Sequence, residues 1–464
     1  MMKKNLNYIW ILGLVATFVF GSTSCKKMLD LKPENLTLSE DALKTPEDTK
    51  ALLNSCYDEF ANLMNGRVQN IHELLGENLS EPQNSAGSLY YTIFNRGTFS
   101  FRTADREYLD FYNCILRINT IFENIDNIEG LDDDTKSIML GEGHFLRAWC
   151  HWELVKLWAQ PYGYTADNSH PGIPIRLKAD KNIELRSSVG DVYNQVLTDI
   201  NTSISLLPED NNNYATSWSA KALKAKVLFL MNDFEESKIL TDEIVNSAKF
   251  QFSDSLNRFV QQAPEEVLFQ LVSTANNDNR AGSFISNYRS DNNPNPALKP
   301  SADMMAIATR GYDKRSSFYE VRNEGQANEY FVTHKFDGDY YNVPLLHLTD
   351  MMLMHAESLV ETGGDKQTAI DLVNQIRKRA YDTAVYTPMS SDIGLIDLKD
   401  SIYLQRRLEM AFEGDWTLQL RRKGTRGEDI QIRQAPWDCP GMLIQFPQSE
   451  NTAGFIFNEE GGCN

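Results

Sequence analysis

The sequence predicts an all-α chain in which pairs of helices carry a loop-rich face and few short strands. Three observations predict it. Apolar residues recur at helical spacing, as at Leu404, Leu408, Ala411 and Phe412, which fall at i, i+4, i+7 and i+8. Capping and breaking residues bound such stripes at their ends. Runs of strand character are few and short, Val267–Val272 and Tyr330–His334 being the candidates. At 464 residues and 42% hydrophobic, the chain can bury a large core in one big domain or two.

Residues 1–24 read as a leader rather than as fold. Lys3 and Lys4 precede a 13-residue apolar run, Tyr8 to Phe20. That run spans roughly 20 Å as a helix, short of the ~30 Å hydrocarbon layer. Gly21, Ser22, Thr23 and Ser24 then lead into Cys25, the pattern of a lipoprotein signal whose cysteine is acylated and becomes the N-terminus. A plain secretory signal with an incidental cysteine is the rival. Residues 25–45 are expected to be the lipid anchor and a polar tether, and residues 46–464 a single domain.

That domain starts well. Thr45 caps, Pro46 takes the first helical position, and Glu47 and Asp48 favour the first turn, so a helix should run to about Asn65. Residues 66–106 are less regular. Helical patterning returns over Glu107–Ile128, then after Asp132–Asp134 to about Gln160, where Pro161, Gly163, Pro171 and Pro174 forbid its continuation. Val189–Leu207, Ser217–Met231 and Asp233–Ala248 are three more helices. Ala225 and Ser237 stand 12 apart, the spacing of two small contact positions in a tetratricopeptide repeat; an ordinary helix hairpin fits equally well. Leu345–Thr362 and Lys366–Ala380 form another pair, joined by Gly363-Gly364. Residues 250–344 are loop-rich, a composition that favours function or mobility over core. Gln405 to Glu413 is helical with Gly414 as its stop, after which Trp416, Leu418 and Leu420 alternate with polar residues. Gly441–Asn464 carries no helix signal.

The formal charge of −19 opposes nucleic acid and anionic lipid surfaces. Cys56, Cys114 and Cys150 lie in helix-like apolar patterns and read as small buried residues. Cys439 and Cys463 flank the C-terminal loops and are candidates to pair in an oxidising compartment. No cysteine spacing fits a zinc motif.

The segment Gln405–Arg422, QRRLEMAFEGDWTLQLRR, resembles the C-terminal signature of the SusD/RagB family of bacterial outer-membrane glycan-binding lipoproteins. There, two arginines, a glutamate, an apolar pair, Phe-Glu-Gly and a closing Leu-Arg-Arg recur in this order. Gln405, Trp416 and Gln419 depart from it, where an acid, an arginine and an aspartate are usual. Further matches fall in the family's order: Met28-Leu29-Asp30, Phe145-Leu146-Arg147-Ala148, Pro161-Tyr162-Gly163, Pro171-Gly172-Ile173-Pro174, Arg377-Lys378-Arg379-Ala380 and Pro447-Gln448-Ser449-Glu450. The resemblance implies a SusD-like α/α superhelix of four tetratricopeptide-like helix pairs. It also implies an outer-membrane, cell-surface lipoprotein that captures an oligosaccharide and delivers it to a SusC-like TonB-dependent porin, on which it sits as a lid. Some relatives import peptides instead, in the manner of RagB.

No constellation demands catalysis, and no cofactor or metal site is expected. His72-Glu73 begins like a zincin, but Gly76 stands where the second histidine belongs. His144 and His151 read as interior histidines. Gly141 and Gly143 open a G-x-G whose third glycine is replaced by Leu146. A surface glycosidase would need two carboxylates at a set separation in space, which residue order does not carry. A sugar site needs aromatic platforms beside Asn, Gln, Asp, Glu or Arg. Two stretches combine them: Glu77 to Pro82 leading to Tyr90, Tyr91, Phe94 and Asn95, and Asn276 to Arg289. Candidate ligand contacts are therefore Asn78, Glu81, Tyr90, Tyr91, Phe94, Asn95, Asn287, Tyr288 and Arg289. Tyr90, Tyr91 and Phe94 equally fit the core side of a short helix.

Overall fold

A row of antiparallel helices, each packed on the next, forms the body in the computed structural model, which describes residues 43–82, 88–96, 104–180, 182–274 and 279–463. The leader, Cys25 and the tether to residue 42 lie outside the described residues, as do 83–87, 97–103 and 275–278. Thr45–Asn464 cluster as one compact unit. The elements in order are α1 (Pro46–Met64), α2 (Arg67–Leu75), α3 (Leu89–Asn95), α4 (Asp105–Asn124), α5 (Asp133–Trp158), β1 (Pro171–Pro174), β2 (Arg186–Ser188), α6 (Val189–Leu206), α7 (Ser217–Leu230) and α8 (Phe234–Val245). There follow β3 (Val267–Leu271), α9 (Gly282–Tyr288), α10 (Ala302–Ala308), β4 (Tyr319–Arg322), β5 (Tyr330–Thr333) and β6 (Val343–His347). Last come α11 (Leu348–Glu361), α12 (Lys366–Ala380), α13 (Leu395–Glu409), α14 (Trp416–Thr425), β7 (Gln431–Ile432) and β8 (Ala435–Pro436). No described helix is long and apolar enough to cross a membrane.

The row runs α1, α4, α5, α6, α7, α8, α11, α12. Local chemistry starts its members: the Thr45 hydroxyl accepts from the Asp48 amide while the Asp48 carboxylate accepts from Thr45, a complete capping box on α1. Small residues set the close approaches. Ser237 donates to the Ala225 carbonyl at 3.1 Å, so the pair 12 apart is a buried contact between α7 and α8. A methyl on Gly143 would lie 2.7 Å from the Phe122 ring and one on Gly141 2.8 Å from Leu207, so these glycines serve helix packing. The strands form two-stranded antiparallel sheets, of which β3 with β6 links the loop-rich region to α11. Cys439 and Cys463 form a disulfide, while Cys56, Cys114 and Cys150 are buried thiols.

Two expectations for the C-terminal signature need correction. The helix α13 stops at Glu409, three residues before Phe412, whose φ of +66° breaks the apolar stripe. That backbone costs a bulky residue about 1–2 kcal/mol, opposed by burial of its ring beside Tyr288 and Tyr319. Trp416, Leu418 and Leu420 belong to α14 rather than to an alternating run.

The reason for the early stop is charge. Glu409, 3% exposed, accepts from Arg258 at 2.8 Å, Arg315 at 2.9 Å and Arg379 at 2.8 Å. Lys335 donates to the Glu409 and Ala411 carbonyls and to Glu413, closing the helix end. Arg406 grips Asp415 through two bonds of 2.7 Å and meets Asp350, itself paired with Lys226. Arg422 pairs with Glu357 at 2.6 Å. The departures from the family pattern fit this network. Gln419 donates to Asp415 and accepts from Arg422, Gln405 accepts from Arg315, and the Trp416 indole donates to Glu77.

Burial acts to raise the Glu409 pKa, but Arg379, Arg315 and Arg258 overcome it and hold it at about 2. A depressed carboxylate contributes stability that is complete above its ordinary pKa of 4.5 and is lost as pH falls through 2. Glu409→Gln is therefore expected to lower unfolding free energy at pH 7 by about 3–5 kcal/mol. Urea titrations should show the gap between the two proteins narrowing from pH 4.5 toward pH 2. A gap independent of pH would refute the assignment.

Candidate functional site

The two stretches marked in the sequence meet through one buried amide. Asn70, on α2 and fully buried, donates to the Tyr90 hydroxyl at 3.4 Å and to Ser283 at 3.3 Å. Ser283 lies on α9, where Asn287 donates to its carbonyl at 2.7 Å. Ser88 starts α3 by accepting from the Tyr91 amide. Tyr90, Tyr91 and Phe94 on that helix are half-buried, with Ile93 facing the core. Asn95 and Glu81 are exposed and lie 3.5 Å apart, the Asn95 amide also donating to the Tyr91 carbonyl at 2.9 Å.

The β7–β8 hairpin delivers a further group. Arg433 at its turn lays its guanidinium 3.9 Å from the Phe94 ring centre and donates to the Phe94 and Leu74 carbonyls. Burial, helped by Arg96, pulls its pKa down to about 9. Phe94 is thus clamped rather than free to swing. The loop 293–300 runs beside 77–82, through a Leu79–Pro300 bridge and the Ser80 amide donating to the Lys299 carbonyl. It brings Lys299 over the Tyr330 ring at 4.4 Å and onto Asn295 at 2.6 Å. Lys299, Tyr330 and Arg433 were missed in the sequence. Their positions depend on loop pairing, for which an Asn- and Pro-rich composition gives no signal.

Three candidates are placed differently. Tyr288 is fully buried, its ring packed on Phe336 at 5.0 Å and Phe412 at 5.5 Å, and it presents no platform. Asn78 is 1% exposed and links Glu73 to Arg407, a structural bridge. Arg289 is taken up by Asp291 and Asp339. Asn276 lies outside the described residues. Glu73 and Glu77 are also committed, Glu73 to the Gly414 amide and Glu77 to Trp416 and Arg407. Among the described candidates, the Tyr90, Tyr91 and Phe94 rings, the Asn95 amide and the Glu81 carboxylate reach solvent on this face, a set that suits a neutral polyhydroxylated ligand.

Three histidines are committed within the fold. His144 bonds Asp199 at 2.7 Å, His151 is buried with its pKa drawn down to about 4 by desolvation, and His72 lies 3.6 Å from Glu153. Among the described residues, no group of three or more His, Cys, Asp or Glu is placed to hold a metal.

Known proteins resemble this chain along most of its length. A family model described as starch-binding associating with the outer membrane matches residues 27–229, and the SusD family model matches residues 274–436. A SusD-like protein of Formosa agariphila is 25% identical over 473 residues, spanning 89% of this chain and 90% of its own. A second SusD-like protein of that organism is 24% identical over 220 residues, 45% of this chain and 41% of its own. Among solved structures, a SusD superfamily protein from Bacteroides thetaiotaomicron superposes with a TM-score of 0.75 at 18% identity, covering 90% of this chain and 100% of that one. A laminarin-binding SusD-like protein superposes at 0.71 and 16% identity, covering 89% and 99%.

The placement separates two tyrosines by role. Tyr288→Ala is expected to cost about 3–5 kcal/mol of stability, and Tyr91→Ala no more than about 1 kcal/mol. Denaturant unfolding of both variants checks this, and equal losses would contradict it.

Proposed function

The chain belongs to the SusD/RagB family, and from that premise we propose that it captures a neutral oligosaccharide at the cell surface and passes it to a SusC-like TonB-dependent porin. Acylated Cys25 would hold it to the outer membrane. The observation that carries the reading is the α3 face. Tyr90, Tyr91 and Phe94 are half-exposed rings on one short helix, Tyr90 held by Asn70 and Phe94 by Arg433, with Asn95 and Glu81 at the rim. Flat rings take the apolar faces of sugars, and amides and carboxylates bond the hydroxyls. Fixing the rings beforehand removes part of the ordering cost of binding.

Binding without turnover is the corollary. Glycoside hydrolysis uses two carboxylates flanking one bond, and on this face Glu73 and Glu77 are already engaged in the scaffold. Peptide import, the rival within the family, favours cationic or anionic groups open to a ligand. Arg289 is neutralised by its own acids, which weakens that reading.

Calorimetric titration against laminarin, starch and other plant, host and microbial glycans, with a pooled peptide digest as control, tests the proposal. One glycan should bind saturably without new reducing ends appearing. Tyr90→Ala or Phe94→Ala should weaken it at least tenfold, about 1.4 kcal/mol. Affinity unchanged by both variants, or binding of peptides alone, would refute the reading.

A further inference from the structure

Two adjoining clefts of about 330 and about 420 Å³ share Asn213, Tyr214, Phe269 and Gln270 as walls and form one continuous groove. None of the nine candidate ligand contacts lines it. Each cleft falls within the ~300–1,000 Å³ range of ligand pockets. The floor is β3, which among the described residues pairs with β6 along one edge only, leaving the other edge without a ladder partner there. The Phe269 ring is spent in the core against Phe60, Phe145 and Trp149, so the groove meets that residue along its backbone.

The wall above this floor is a fixed aromatic. The Tyr214 ring stands edge-to-face on Tyr57 at 4.9 Å and its hydroxyl donates to Asn54 at 3.1 Å. Tyr57 in turn accepts from the Ala215 amide at 3.1 Å. The side-chain amides of Asn213 and Gln270 beside it have no hydrogen-bond partner among the described residues. Among the charges at the groove, Arg280 pairs with Asp58 and Lys249 with Asp210, while Glu209 stands exposed at the rim of the second cleft. The recognition chemistry left over is a ring face, amides that both donate and accept, a backbone edge and one rim carboxylate that accepts from hydroxyls.

We propose that this groove is a second oligosaccharide site, taking a short run of a neutral glycan with one sugar stacked on Tyr214 and its hydroxyls bonded by Asn213 and Gln270. The ligand class rests on the glycan-capture reading, and the location rests on the groove alone. Two sites on one chain would hold a long glycan more tightly than either does separately, through effective concentration.

The full chain is titrated with the trisaccharides of the glycan panel, alongside Tyr90→Ala, Tyr214→Ala and Asn213→Trp, the last filling the groove from an exposed loop. Two sites per chain are expected in the unmodified protein and one in Asn213→Trp. Tyr214→Ala should weaken the second site at least tenfold. A single site removed by Tyr90→Ala and indifferent to Asn213→Trp overturns this inference and leaves the capture face standing. A single site removed by Asn213→Trp and indifferent to Tyr90→Ala supports the groove and overturns the capture face. Binding of pooled peptides with no response to any glycan overturns both.

Discussion

The three guanidinium groups around Glu409 are the constraint on which the interior depends. A carboxylate without partners would not stay ionised there, and an arginine without an acid would cost several kcal/mol to bury. Arg258 comes from the loop-rich region, Arg315 from the stretch before β4, and Arg379 from the last turn of α12. One side chain therefore ties together three parts of the chain that share no secondary structure. Glu413 with Lys335 and Arg258, and Arg406 with Asp415 and Asp350, continue the same balance. Such networks add geometry more than energy, since each member is directional and leaves little choice of register.

This frame also supports the candidate face on α3. Glu73 and Asn78, just before the exposed loop, bond to Gly414 and Arg407 of the signature segment. Trp416 bonds Glu77. The stretch leading to Glu81 is thus anchored by the charged interior.

Much of the helical row was legible because its signals are local. The Thr45 box, the Asp132 cap and the basic last turn of α12 each declare an end within four residues. The helix α2 was hidden for the opposite reason. Val68, Ile71, Leu74 and Leu75 do fall at helical spacing, but Gln69, Asn70, His72 and Glu73 are buried beside them, so polar residues fill positions that a surface helix would leave to solvent. The end of α13 was misplaced because residues far away in the chain, not Gly414, decide it. The same holds for the site. Tyr90, Tyr91 and Phe94 sit on the short helix that the residues allowed, whereas Tyr288 has the composition of a surface loop around it and the surroundings of a core residue. Its neighbours Phe336 and Phe412 come from distant segments, and adjacency of that kind is not written in residue order.

The arrangement of the Glu409 cluster along the chain has a consequence for assembly. All three arginines precede the glutamate, Arg258 by 151 positions and Arg379 by 30. During synthesis from the N-terminus, Arg315 already has Asp313 and Arg379 has Glu266 as acid partners, but the ion-pair partners of Arg258, Glu409 and Glu413, arrive only with the end of α13. Contacts of such long range slow folding. Arg258 is thus the member of the cluster whose charge is matched only in a chain made nearly to its end.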